Sequence, residues 1–239
     1  MSRIIDLSVP IQDHFRWPVK REKIGDHAKG DLAEVTWLGW PVHGFTHMDS
    51  PRHYFADAKT TDDIPLETTI GDATVFDLEP VQPNEAITPE RLEAAGGLYL
   101  QEGDIALMRS CWDTQRSLQT REFWTDAPYM TREAAEWLLA KGVRAVAFDF
   151  PQDHPIRGLL DGKRAPLEEH VTHDVLLRNG VILIEYLGNT QAIRQPRVWF
   201  CCLPLKVPAA DGAPARVIAI EGGQGAAAVP THLVPEGSA

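Results

Sequence analysis

The sequence predicts a single mixed α/β domain in which strands outnumber helices. Three observations carry that expectation. Short β-branched or apolar runs recur eight times along the chain, while helix patterns with recognisable caps occur only three times. The two kinds are interleaved too unevenly for a regular doubly wound βαβ series. With 239 residues, 44% of them hydrophobic, the chain can bury a sizeable core without covalent staples. No internal repeat or interdomain linker divides it, so the domain is placed at residues 1–221. The small-residue-rich stretch 222–239 is expected to be a tail or oligomer arm.

The strand candidates are, in order, Ile4 to Val9, Val35 to Trp40, Ala73 to Leu78, Ile105 to Met108, Ala145 to Phe150, Val181 to Leu187, Val198 to Leu205 and Ala215 to Ile220. Thr88 caps a first helix with Pro89 at its opening position, and Gly96 and Gly97 stop it. A second helix starts at Thr131 and ends at Gly142, with Ala134, Trp137 and Leu138 on one stripe. A third, shorter one runs from near Thr172 to Asn179 and Gly180.

Composition removes several function classes. A net charge of −11 has the wrong sign for neutralising phosphates, so neither nucleic acid nor an anionic membrane is an expected partner. No apolar run approaches the ~20 residues that span a bilayer, and the opening MSRIIDLSVPIQD lacks the basic and apolar regions of a secretion signal. The three cysteines, Cys111, Cys201 and Cys202, are odd in number and two are adjacent, which suits a reducing cytoplasm better than a disulfide framework.

The chemistry concentrates in HGFTHMDSPRH, His43 to His53, which holds three of the nine histidines. Imidazole with carboxylate suits Zn²⁺, Mn²⁺ or Fe²⁺. On a straight strand His43 and His47 would lie roughly 13 Å apart at ~3.3 Å per residue, too far for one ion. The chain must therefore curl, and Gly44, Pro41 and Pro51 predict a ligand-bearing loop after the Trp37/Trp40 strand.

This string closely resembles the HxGTHxDxPxH signature of the cyclase family of metal-dependent hydrolases, which includes bacterial kynurenine formamidase and isatin hydrolase. IIDLSVPI, residues 103–109, residues 147–151, HDVLLRNGVILIEYL and the segment around Pro214 to Ile220 are similar to further family elements in family order. The resemblance implies that His43, His47 and Asp49 bind a first ion. It further implies that Asp49 bridges to a second ion held by a histidine and a glutamate twelve positions apart, a spacing that His173 and Glu185 meet. His170 rivals His173, and the alternative role for Glu185 is a salt bridge at a strand end. Asp149 is a candidate for orienting a ligand histidine. The chain departs from the signature with Gly44-Phe45, where the family places a variable residue and then glycine, so the bend is expected at Gly44.

The resemblance also implies a swivelling β/β/α fold, a homodimer or higher homo-oligomer, and two divalent ions per chain, Zn²⁺ or Mn²⁺. His53 then acts as the acid/base group in hydrolysis of an amide-type bond in a small aromatic substrate, with an arylformamide such as N-formylkynurenine first among them. Isatin or another cyclic imide, a lactone, and a polyketide cyclase-like reaction are the alternatives. Trp37, Trp40, Phe45, Tyr54 and Phe55 are candidates for an aryl pocket, their other role being core, and Arg52 for a substrate carboxylate, its other role being solvent-facing. A non-catalytic metal-binding domain is the rival class, as is a mononuclear oxygenase using two histidines and a carboxylate.

Overall fold

The structure is a computed structural model that describes residues 2–222, so residues 223–239 of the expected tail lie outside the described residues. Its strands are β1 (Arg3–Asp6), β2 (Lys20–Gly25), β3 (Val35–Gly39), β4 (His47–Asp49), β5 (Ile70–Asp77), β6 (Ala86–Ile87), β7 (Ile105–Arg109), β8 (Tyr129–Met130), β9 (Ala145–Phe148), β10 (Ile182–Glu185), β11 (Arg197–Pro204) and β12 (Gly212–Glu221). The helices are α1 (Pro89–Gly96), α2 (Trp112–Gln115), α3 (Glu122–Thr125), α4 (Arg132–Ala140), α5 (Ile156–Leu159) and α6 (Val171–Val175).

The mixed, strand-rich class expected from the sequence is borne out. Strands β12, β11, β5, β7, β9, β10 and β4 follow one another edge to edge, and β4 pairs back onto β12, so the sheet closes on itself. Closure leaves these strands without a bare edge. The run β5-β7-β9-β10 is parallel and the other pairings are antiparallel. One edge of β12 takes β11. The other takes β4 at Gly212 to Pro214 and then β1 at Ile218 to Glu221.

Alternation along each strand separates two cores. Met48, Val75, Leu107, Ala147, Ile184 and Phe200 belong to one buried cluster. Their sequence neighbours Phe76, Met108, Val146, Phe148 and Leu183 point the opposite way and pack with Leu92 of α1 and Ala134, Ala135 and Leu138 of α4 in the other. Thr88 accepts from Arg91 N to cap α1, and Thr131 accepts from Ala134 N to cap α4.

The short elements α2, α3, α5, β6 and β8 were not expected, and three further differences bear on the site or the surface. The run from Val35 forms β3, yet it pairs only with β2 in a hairpin that stands off the closed sheet, and Ile24, Val35, Trp37 and Leu38 stay exposed. Its partner Lys20–Gly25 has too many charges to read as a strand, and it is held by the ladder together with Arg21 on the Ile11 carbonyl, Lys23 on Glu34 and Lys20 over Trp37. The third helix ends at Val175, and a separate 3₁₀ turn continues over Leu177–Asn179 to Gly180, whose φ of 82° closes it. Finally, the expected ligand loop contains a strand, β4, flanked by tight turns.

A buried ion pair ties β7 to β11 inside this frame. Arg197 donates to both oxygens of Asp104 at 2.5 and 2.9 Å, while Thr74 of β5 donates to Asp104 at 2.7 Å. Both charges are almost fully buried. Removing one partner strands the other charge, so Asp104→Ala should lower unfolding free energy by about 3–5 kcal/mol in urea denaturation.

Candidate metal centre

The site grows from β4. Because side chains alternate, Met48 points into the closed sheet and His47 and Asp49 point out together. Across the ladder Glu185 of β10 pairs with His47, and Asp49 pairs with Leu183. The same register therefore puts Glu185 on the outward face beside both ligand-type residues.

The chain before β4 is bent by a turn in which Gly44 N donates to Pro41 O at 2.9 Å. The left-handed residue is Phe45, with φ of 62°, and not Gly44. That conformation costs roughly 1–2 kcal/mol for a residue with a Cβ. The Phe45 ring is fully buried against Trp17, 4.9 Å away, which offsets the strain. Thr46 locks the turn by donating to Tyr186 O at 2.7 Å and accepting from Val9 N. His43, carried at the head of the turn, packs over Gly212, where a Cβ would come within 2.6 Å of its Cε1. After β4 the 3₁₀ turn Pro51–His53 folds His53 back until its ring stacks on His43 at 3.7 Å.

His47 and Asp49 are each 1% exposed, and Glu185 8%. His47 Nδ1 donates to Phe45 O at 2.8 Å, which turns Nε2 toward the cluster. That Nε2 lies 3.1 Å from Asp49 Oδ1 and 3.8 Å from Glu185 Oε2, yet it makes no hydrogen bond, and neither does the buried Asp49 Oδ2. His173 Nε2 lies 3.4 Å from Asp49 Oδ2 and 3.7 Å from Glu185 Oε1. Asp49 Oδ1 also meets His43 Nδ1 at 2.7 Å, and His43 Nε2 meets Asp211 Oδ2 at 2.8 Å. His43, His47 and Asp49 thus offer ligand atoms within 4.8 Å of one another, as do Asp49, His53 and His173. Two adjoining buried polar atoms left without a hydrogen bond, ringed by imidazole and carboxylate, are what a cation site presents.

Outer partners orient these groups. Asp153 Oδ2 lies 2.6 Å from His173 Nδ1, and its other oxygen accepts from Thr172 N, so the start of α6 is fastened through the same carboxylate. Gln152 donates to Glu185. Asp149, expected in the orienting role, is engaged elsewhere: it accepts from Ser110 N and Oγ, Cys111 N and Thr190 Oγ1, and burial pushes its carboxyl up to about 6 against those bonds. His170 is turned to Tyr54 OH at 3.1 Å, leaving His173 as the member of that pair facing Asp49.

A cavity of about 260 Å³ opens onto the cluster, lined by Arg16, Trp17, Tyr54, Ile156, Leu159 and Tyr186 together with His43, His47, His53, His173 and Glu185. Of the residues expected to bind substrate, Tyr54 alone is on this wall. Phe45 is core, Trp37 sits on the exposed hairpin, Trp40 lines a different cleft with Val9 and Ala215, and Arg52 is exposed. Arg16, Trp17, Gln152, Asp153, Tyr186 and Asp211 were not legible as site residues. Asp153 lies among prolines and Asp211 before a glycine, and both read as turn formers.

The charges interact strongly. Burial opposes protonation of His43, but its bonds to Asp49 and Asp211 outweigh that and raise it to about 9. In the same way Asp153 and Asp49 raise His173 to about 10. His53 goes the other way: burial, helped by the charges of His43, His173 and His47, lowers it to about 4 despite Asp49. Burial and the charge of Asp49 raise Glu185, while the nearby charge of His47, the approach of His173 and the bond to His43 hold Asp49 well below the usual range in spite of its burial.

The sequence matches the family described as putative cyclase over residues 5–152. It is 26% identical over 222 residues to a kynurenine formamidase of Bacillus cereus, covering 91% of this chain and 97% of that protein. Against a kynurenine formamidase of Salinibacter ruber it is 29% identical over 205 residues, 85% of each chain. Among solved structures, a potential metal-dependent hydrolase with cyclase activity superposes with a TM-score of 0.72 at 28% identity, covering 93% of this chain and 100% of that one. An isatin hydrolase bound to thioisatinate shares the fold, with a TM-score of 0.77 at 20% identity over 92% of each chain.

The raised histidines set a pH dependence. A group whose folded pKa exceeds its unfolded value of ~6.5 stabilises fully below that value and loses the contribution as pH climbs through the folded pKa. With a chelator present, so that no cation competes for these nitrogens, unfolding free energy should fall between pH 7 and pH 10 in urea titrations. Asp153→Asn should flatten that fall.

Proposed function

The chain belongs to the putative cyclase family, and from that premise we propose that it is a metal-dependent hydrolase of amide-type C–N bonds in small aromatic substrates, an arylformamide such as N-formylkynurenine first. The observation that carries this reading is the pair of buried atoms without a hydrogen bond, His47 Nε2, whose residue lines a cavity walled by aromatic side chains, and Asp49 Oδ2, on the residue next to it in the cluster.

The donor set fits divalent cations. His43, His47 and Asp49 would hold one ion, and Asp49, His173 and Glu185 a second, with Zn²⁺ or Mn²⁺ suited to imidazole and carboxylate together. A bound ion supplies Lewis-acid polarisation of the substrate carbonyl and activation of water at neutral pH. Asp211 behind His43 and Asp153 behind His173 hold the rings in orientation, the carboxylate–histidine arrangement that raises ligand basicity.

The remaining steps belong to side chains. His53 stands on the cavity wall and is neutral near pH 7, so its imidazole can take a proton from the attacking water and return it to the leaving nitrogen. In the net reaction the water oxygen bonds to the acyl carbon, the C–N bond breaks, and the amine leaves protonated. Trp17, Tyr54 and Tyr186 form the aryl wall and keep bulk water from the reacting carbon.

Assembly and location follow from two further observations. A two-stranded hairpin is marginal alone in water, and β2–β3 carries Ile24, Trp37 and Leu38 exposed, which supports a homo-oligomer, most simply a dimer, with a second copy covering this arm. All three cysteines are unpaired, in keeping with a reducing cytoplasm, and no described helix is long and apolar enough to cross a membrane.

Restoring Zn²⁺ or Mn²⁺ to chelator-treated protein should restore cleavage of N-formylkynurenine, assayed beside isatin. Activity on isatin alone would move the assignment to cyclic amides, and two bound ions with neither activity would refute both substrates. His47→Ala should lose metal by elemental analysis. His53→Ala should keep its metal and lose about 10²–10⁴-fold in turnover. Trp37→Glu should shift the protein toward monomer in light scattering, and an unchanged mass would exclude the hairpin as the contact.

A further inference from the structure

Among the described residues lining the histidine cavity, Arg16 is the only arginine or lysine. Its guanidinium sits 5.4 Å over the Trp124 ring, and its buried Nε has no hydrogen-bond partner. Other arginines with buried or half-buried heads are engaged. Arg197 meets Asp104, Arg109 meets Asp77, and Arg157 meets the Thr125 and Ala127 carbonyls. Arg52, Arg164 and Arg194 have no side-chain partner either, but they are exposed to water. Half-buried Arg144 and Arg157 are likewise held by carbonyls, so in a chain of net charge −11 the half-buried Arg16 stands apart among the described residues in having no hydrogen bond or ion pair at its guanidinium.

We propose that Arg16 is a specificity-determining residue that pairs with a carboxylate on the substrate, remote from the bond that is cleaved. The inference rests on the hydrolase reading above and narrows it to anionic aryl amides. The cavity lining supplies the parts such a molecule needs. His47, His53, His173 and Glu185 occupy one part of its lining, Trp17, Ile156 and Leu159 supply apolar wall for an aryl body, and Arg16 supplies the cation. The Trp124 ring 5.4 Å from its Cζ limits the space open to the guanidinium, whose planar fork suits a bidentate carboxylate. A neutral substrate would leave the guanidinium without an ionic partner and forgo that contact.

The test uses the metal-loaded protein and a pair of ligands that differ only in charge: 4-(2-aminophenyl)-4-oxobutanoate and its neutral carboxamide, titrated calorimetrically. Wild-type protein should bind the acid at least ~10-fold more tightly than the amide. Arg16→Gln should abolish that preference while the amide binds as before, and Arg16→Met, which keeps an apolar stem over Trp124, should behave the same way. An acid preference that survives in both variants, or one absent from the wild type, overturns the proposal. Failure of the hydrolase reading is separately visible: N-formylkynurenine would go uncleaved by the metal-loaded protein while the Arg16-dependent preference persisted.

Discussion

Strand β4 is the constraint on which the rest of this structure depends. It is three residues long, it pairs with β10 on one side and β12 on the other, and without it the sheet stays open. Its middle residue, Met48, fills the interior, so the alternation of a strand obliges His47 and Asp49 to share the outer face. Packing thereby sets the position of the polar cluster. A slip of one residue would bury two charges in the apolar interior and expose the methionine, which is why the register is strongly specified.

That outer face concentrates histidines and carboxylates where water is scarce. Isolated buried charges are costly, and here each is compensated by a partner behind it: Asp153 for His173, Asp211 for His43, Gln152 for Glu185, the Phe45 carbonyl for His47. The compensation is deliberately incomplete at two atoms in the centre. The ligand groups are held from behind, and the two buried atoms left without a hydrogen bond lie between them, where a positive ion would complete the cluster.

Much of this was legible in the sequence, unevenly. The apolar runs located the strands of the closed sheet because burial selects β-branched and aliphatic residues, and Thr88, Pro89 and Thr131 marked two helices through capping chemistry. The histidine string and the His173–Glu185 spacing identified residues that the fold brings together. Strand β2 was invisible because its exposed, charged residues carry no apolar alternation, and β4 because three polar-flanked residues carry no periodicity. Phe45 misled in a specific way. Local propensity places the bend at Gly44, yet burial of the aromatic ring outweighs the left-handed strain one residue later. Arg16, Trp17 and Asp153 were beyond reach for another reason: their role is defined by distance in space, and nothing in their immediate neighbours signals it.

The double duty of β4 has a consequence for how such a protein can change over generations. Residues on this strand and its two neighbours answer to closure of the sheet as well as to the cluster, so a substitution that retunes one disturbs the other. The opposite wall, built from the segments around Arg16 and Trp17 and from Ile156 and Leu159, carries no share of the ladder. Divergence in what the cavity accepts is therefore free to accumulate there, leaving the chemistry of the floor fixed while the clientele turns over.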